Sequence, residues 1–295
     1  MLKTPLSLYL HFPWCISKCP YCDFNSHELK RDVPEQRYIE TLLQDLSIEA
    51  ETENRSKLHS IFMGGGTPSL FSASAIDDLL TGIKRRFDFK ESEITLESNP
   101  GSFDQANFDG YRETGINRLS IGAQSFSLGA LNQLGRNHNP DDIDRAFAGA
   151  RRAGFNRINL DLMHGLPGQS REDAIYDLNR AIDLGPEHIS WYQLTIEPNT
   201  RFYKYPPILP QDAILEDIFH AGNALLENAG FIKYEVSAYA IDSEESLHNL
   251  NYWQFGDYLG VGAGAHGKIT RNKKIIRTSK NKMPDEYIEN PKLNE

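Results

Sequence analysis

A chain of 295 residues is long enough to bury one large core, so size excludes neither a single α/β domain nor a barrel with a small appendage. Its formal net charge of −10 argues against nucleic acid as a partner, because holding a phosphate backbone takes clustered Lys and Arg. No apolar run reaches the roughly 18 residues of a membrane-crossing helix, and the opening Met1-Leu2-Lys3-Thr4-Pro5 lacks a secretory pattern, so a cytoplasmic protein is expected.

The first segment, 6–12, reads as a strand. Directly after it come Cys15, Cys19 and Cys22, the only cysteines of the chain. An odd number in a chain expected in the cytoplasm points to metal or redox chemistry rather than disulfides. A ferredoxin-type cluster takes four protein thiolates, so three leave one iron open to a small molecule. A structural zinc with His11 or His27 as fourth ligand fits the same residues.

Next come an apolar helical stripe at Tyr38, Ile39, Leu42, Leu43 and Leu46 behind Pro34, and a strand over 60–63. The strand runs into Gly64-Gly65-Gly66-Thr67-Pro68, which reads either as a tight strand-to-helix turn or as a loop whose free amides meet a ligand. A second stripe, Ile76, Leu79, Leu80 and Ile83, is followed by strands over 94–97, 118–123, 157–163 and 188–194, alternating with helical segments. Gly115, Gly154, Gly185 and Gly230 mark helix ends, whereas Pro140 and the capping box Ser170–Asp173 mark starts. Six βα units predict an α/β fold with a parallel sheet, best closed as a partial (β/α)6 TIM-like barrel. Glu97, Gln124 and Asp161 then converge with the cysteine loop at the C-terminal face of that barrel.

Past Pro198 come Pro206, Pro207 and Pro210, a helix over 212–228 and a strand-like 231–239. From Asp242 the chain reads as polar and irregular, ending in a mobile tail, with the basic run Arg271–Lys274, Arg277, Lys280 and Lys282 as a solvated loop. This divides the chain into a core barrel, 1–200, and a short C-terminal extension, 201–295. Gly260-Val261-Gly262-Ala263-Gly264 lacks the helix and the acidic residue of a dinucleotide fingerprint, and reads instead as backbone that approaches a cofactor closely.

The spacing Cys-x3-Cys-x2-Cys, with Tyr21 before the last cysteine and the glycine run after the second strand, resembles the signature of radical S-adenosylmethionine (SAM) proteins. The resemblance implies a barrel of the radical SAM type and a [4Fe-4S] cluster on Cys15, Cys19 and Cys22. Its open iron chelates the amino and carboxylate groups of SAM, which reduction cleaves to methionine and a 5′-deoxyadenosyl radical. It implies SAM contacts at Gly65, Gly66 and Thr67. Similarity to the coproporphyrinogen-dehydrogenase-like branch adds Tyr9, Glu97, Gln124, Arg136 and Asp161.

Within that branch the chain resembles the HemW family of haem chaperones more than the oxygen-independent coproporphyrinogen oxidases. Phe24 stands where the oxidases carry a further cysteine, only 14 residues precede Cys15 where they have a long arm, and the phrases 19–26 and 161–167 are HemW-like. His248-Asn249-Leu250-Asn251-Tyr252-Trp253 matches the haem-binding motif HNxxYW of that family. The match implies His248 as axial ligand of the haem iron, with Tyr252 and Trp253 as flat apolar surface for the porphyrin, on an accessible loop apart from the barrel mouth. Read without the family, the same residues are a loop histidine beside core aromatics. The resemblance further implies SAM cleavage without coproporphyrinogen dehydrogenation, haem-accepting partners of the membrane-associated respiratory kind, a low-potential electron donor such as flavodoxin or ferredoxin, and compatibility with a homodimer. Family members continue into a further C-terminal domain.

Overall fold

Apolar runs buried on both faces pair as parallel strands, because a βα repeat covers the sheet with its own helices. The computed structural model describes residues 4–291 apart from 52, 54, 103 and 104. In it β1 (Leu6–Phe12) leads through the short strands β2 (Trp14–Cys15) and β3 (His27–Glu28) to α1 (Glu35–Glu51). There follow β4 (Ser60–Gly65), α2 (Ala73–Lys84), β5 (Glu93–Ser98), α3 (Gln105–Glu113) and β6 (Arg118–Gln124). After α4 (Leu128–Gln133) and α5 (Pro140–Arg152) come β7 (Ile158–His164), α6 (Arg171–Leu184) and β8 (His188–Gln193). The six strands β1, β4, β5, β6, β7 and β8 lie side by side and all parallel, which is the expected (β/α)6 arrangement.

The punctuation works as its chemistry requires. Gly115, Gly154, Gly185 and Gly230 all have positive φ, and a Cβ at any of them would meet nothing within 4 Å, so conformation rather than space selects glycine. Ser170 and Asn139 each close a reciprocal capping box with the aspartate three residues on.

The C-terminal third departs from expectation. After α7 (Arg201–Lys204) and α8 (Asp212–Asn228), the segment 231–239 is not one strand but two short antiparallel ones, β9 (Ile232–Lys233) and β10 (Ala238–Ala240), which extend the sheet beyond β8. The stretch after Asp242 is ordered rather than irregular. It forms α9 (Leu247–Trp253), β11 (Asp257–Val261), β12 (His266–Arg271), β13 (Lys274–Ser279) and α10 (Pro284–Glu289), and the expected tail reaches residues 292–295, outside those described. β11 pairs in parallel with β1, Leu6 opposite Asp257. The basic run is solvated as expected over Lys273, Lys274, Arg277 and Lys282, but it forms the turn and outer strand of a β-hairpin at the sheet edge, and its Lys280 is buried. Strands from both sides of residue 200 share one eleven-stranded sheet.

The anchor of this late segment is ionic and buried. The Lys280 ammonium, fully buried, pairs with Asp45 and lies 2.7 Å from Glu49, both on α1, while Tyr287 of α10 donates to Asp45. Burial pushes the Asp45 carboxyl up against the pull of Lys280. Lys280→Met should cost about 3–5 kcal/mol of stability by leaving two carboxylates unpaired in the core, read as a lower denaturation midpoint. A midpoint within error of the parent's would show that these carboxylates are neutralised without Lys280.

Candidate functional site

The C-terminal ends of the parallel strands surround a cavity of about 490 Å³, within the usual size range of a small-molecule site. Ten of the residues singled out above line it: Cys15, Cys19, Cys22, Gly65, Gly66, Thr67, Glu97, Gln124, Arg136 and Asp161. Tyr9 does not. It sits one pleat below, its ring 6.3 Å from that of Phe62 and its hydroxyl 2.9 Å from His11 Nδ1.

The cysteine loop has almost no regular structure of its own and is held from outside. Gly66 N–H and Thr67 N–H donate to the carbonyls of Phe12 and Trp14, at 2.7 and 2.8 Å, tying the glycine run to the loop's entry. A Cβ on Gly66 would fall 2.5 Å from the Trp14 carbonyl oxygen, so glycine is needed there for backbone-to-backbone approach. The reading of this run as free amides is thereby corrected: Gly65 N–H also has a partner, Glu97 Oε2 at 3.1 Å. At the loop's exit the Asn25 amide donates to the carbonyls of Ala263 and Lys282, 2.9 and 2.8 Å away. The Gly260–Gly264 run is a close approach too, but to protein rather than cofactor, since a Cβ on Gly264 would lie 2.4 Å from Asn25 Nδ2.

The three thiols are partly buried and line the cavity. Thr67 Oγ1 donates to Cys15 Sγ at 3.4 Å and Arg136 Nη1 to Cys19 Sγ at 3.5 Å. Burial pushes the Cys15 and Cys22 thiols up, against the pull of the Thr67 hydroxyl and the Arg136 guanidinium on Cys15 and of the Ser26 hydroxyl and Lys18 on Cys22. Arg136 also donates to the Gly122 carbonyl, and its Nε has no partner. A buried cation with spare donors beside three sulfurs fits the negative charge of a thiolate-bound iron–sulfur core. The zinc alternative is less well served by its histidines. His11 Nε2 donates to the Asn25 carbonyl and Nδ1 accepts from Tyr9, while His27 Nε2 is 3.2 Å from the Lys282 carbonyl.

Opposite the sulfurs stand two carboxyls. Burial, with the nearby Asp161 charge, pushes Glu97 up to about 8. Asp161 is also raised by burial although Ser120 and Asn159 each donate to it at 2.8 Å. Gln124 sits at a break in strand register with φ 68, a left-handed conformation rare outside glycine, and its Oε1 accepts the Tyr192 hydroxyl at 2.6 Å. Sequence reasoning missed Tyr192 and Ser120, which also line the cavity. Strand parity would have found them, since Ser120 alternates with Gly122 and Gln124, and Tyr192 with Ser190.

The haem-motif residues lie at the other end. His248 is not on an accessible loop but on α9, 2% exposed at the N-terminal end of the barrel. Glu93 accepts from Ser246 Oγ and from the amides of Leu247 and His248, capping the helix with a carboxylate that Arg157 pairs at 3.1 Å. The His248 ring lies 4.9 Å from that of Phe62, whereas Tyr252 and Trp253 reach the surface.

The Radical SAM superfamily pattern matches residues 9–181 of this chain. The "Heme chaperone HemW" of Haemophilus influenzae is 55% identical over 290 residues, covering 96% of this chain and 76% of that protein. That of Escherichia coli K12 is 51% identical over 292 residues, covering 98% and 77%. Among solved structures, the coproporphyrinogen III oxidase HemN of Escherichia coli, described as a radical SAM enzyme, superposes with a TM-score of 0.82 at 26% identity, covering 97% of this chain and 69% of that one.

Glu97 generates a pH-dependent test. Its folded pKa lies above the unfolded value of 4.5, so the folded state holds the proton longer and stability falls as pH rises from 4.5 to about 8. Glu97→Gln should therefore melt like the parent near pH 4.5 and gain on the order of 5 kcal/mol over it above pH 8. A gap that does not change with pH would show that Glu97 is not buried as a neutral acid.

Proposed function

We propose a haem-carrying function for this chain, which belongs to the radical SAM superfamily and, within it, to the family of the HemW haem chaperones. It binds haem and delivers it to acceptor proteins in the cytoplasm or at the membrane face. No helix among the described residues is long and apolar enough to cross a membrane. Membrane-associated respiratory acceptors and a flavodoxin- or ferredoxin-like electron donor suit this role.

Cys15, Cys19 and Cys22 are the residues that would hold the [4Fe-4S] cluster, and Arg136 and Thr67 would donate to its sulfurs. Bound there, such a cluster supplies the electron for reductive cleavage of SAM. Tyr9, Gly65, Gly66, Thr67, Glu97, Gln124, Arg136 and Asp161 are assigned to SAM. Of these, Glu97 presents a mostly protonated carboxyl at neutral pH, a hydrogen-bond donor as well as an acceptor, while Tyr9 supports from beneath through His11. Each cysteine is needed: replacing any one by Ala should abolish the cluster absorbance near 400 nm after anaerobic reconstitution, and a single variant that keeps it would remove that residue from the ligand set.

The observation that carries the haem reading is the orientation of His248. Ser60 Oγ donates to Ser7 Oγ and so accepts from His248 Nδ1–H at 2.8 Å, which leaves the Nε2 lone pair facing the Tyr252 hydroxyl, also at 2.8 Å. A ligating histidine characteristically donates its other N–H in this way, fixing tautomer and ring. Burial holds the imidazole neutral, its pKa lowered to about 3, the form that binds iron. Nε2 would be the atom to hold haem iron, and the Tyr252 hydroxyl now occupies its lone pair. His248→Ala should weaken haem binding about tenfold or more while cluster content and SAM affinity are kept. Unchanged haem affinity with a lowered melting temperature would make His248 only the packing residue that its contacts with Phe62 and Tyr9 also describe.

The likeness to HemN favours one second reading, radical oxidation of a porphyrinogen. Phe24 at the rim, where the oxidases have a cysteine, counts against it. Product analysis with coproporphyrinogen, SAM and reductant decides: protoporphyrinogen would replace the carrier reading with the oxidase one.

A further inference from the structure

The surface next to His248 carries an arrangement that the haem motif does not include. From the buried imidazole a line of contacts runs outward: His248 Nε2 to the Tyr252 hydroxyl, the Tyr252 ring edge-on to Tyr258 at 4.7 Å, and the Tyr258 hydroxyl accepting from Arg277 Nη1 at 3.1 Å. Tyr258, Lys268 and Arg277 are direct cross-strand partners on β11, β12 and β13, so their side chains share one face. Lys268 does not compete for the surface. It is buried, and its ammonium holds the carbonyls of Phe255 and Gly256 and the Asp257 carboxylate.

Two features of this face are costly for a surface with nothing to bind. Trp253 is 53% exposed and Phe255 82%, close together in sequence and beside Tyr252. Phe255 closes α9 with a backbone at φ 57, a left-handed conformation costly for an aromatic residue. Meanwhile no carboxylate among the described residues lies within ion-pair distance of the Arg277 guanidinium, although the chain carries a surplus of acids.

We infer that Arg277 is the cation that receives a propionate of the haem, with Tyr258 orienting it and Tyr252, Trp253 and Phe255 covering the porphyrin plane. The inference rests on the haem-carrying reading and extends it to the anionic edge of the cargo. Haem is the occupant whose chemistry matches all three parts of the face: a flat apolar body for the exposed rings, carboxylates for an unpaired guanidinium, and an iron for the nearby imidazole. Nucleic acid and anionic lipid are opposed by the chain's net charge of −10, and neither offers a flat apolar body together with an iron.

The test uses the full chain and two probes, haem and its dimethyl ester, in which both propionates are blocked. Arg277→Ala should weaken haem binding about tenfold and leave ester binding unchanged, and Arg277→Lys should recover only part of the loss, because a point charge lacks the bidentate fork. Arg277 is exposed, so melting curves should coincide. Haem bound by Arg277→Ala as tightly as by the parent, or an equal loss for haem and ester, overturns the assignment while leaving the carrier reading in place. A parent chain that binds neither probe overturns both.

Discussion

Taking polar groups out of water without fully pairing them sets the character of this barrel's interior. A hydrocarbon-filled barrel would be more stable, yet here the inner face carries Tyr9, His11, Glu97, Asp161, Asn159, His188 and His248. Desolvation resolves most of them by neutralisation: Glu97 is pushed up to about 8, His11 down to about 4 and His248 to about 3. The charges that survive are paired or aimed, Glu93 with Arg157 at one end and Arg136 at the sulfurs at the other. Protonation states inside are thus decided by the fold before any ligand arrives, a form of preorganisation.

The same interior joins two ends that sequence motifs present as unrelated. The cysteine loop caps the C-terminal ends of the strands and α9 plugs the N-terminal ends, with Tyr9 between them, its ring 5.8 Å from His11 and 6.4 Å from His248. His11 in turn holds the Asn25 carbonyl at the loop exit. A change of ring position at His248 therefore has a packed route, through three aromatic side chains, to the loop that carries the thiols.

What could be read beforehand was whatever is local. The strands were legible because buried parallel strands are continuous apolar runs, and helix ends because glycine at positive φ is a single-residue signal, as at Gly154 and Gly185. The cysteine spacing carried the cluster assignment and strand ends carried Glu97 and Asp161. What escaped depends on partners far along the chain. β11 is a five-residue strand, glycine at its fourth position, that makes sense only beside β1, and α9 is a seven-residue helix capped by Glu93 from 155 positions upstream. No local pattern distinguishes a buried His248 from a loop one. The glycine run at 260–264 looked like cofactor chemistry because close approach leaves the same trace whether the neighbour is a nucleotide or the backbone of His11.

The clasp on Asn25 places the closing contact of the cysteine loop 257 residues further along the chain. A ribosome delivers those two halves in order, at about 5–20 residues per second, so for ten seconds or more the thiols exist on a nascent chain whose loop is still open. For a cluster on these thiols, timing would count as much as affinity: one inserted early would be sealed in by the last strands to emerge, whereas one inserted late would have to enter through the cavity mouth.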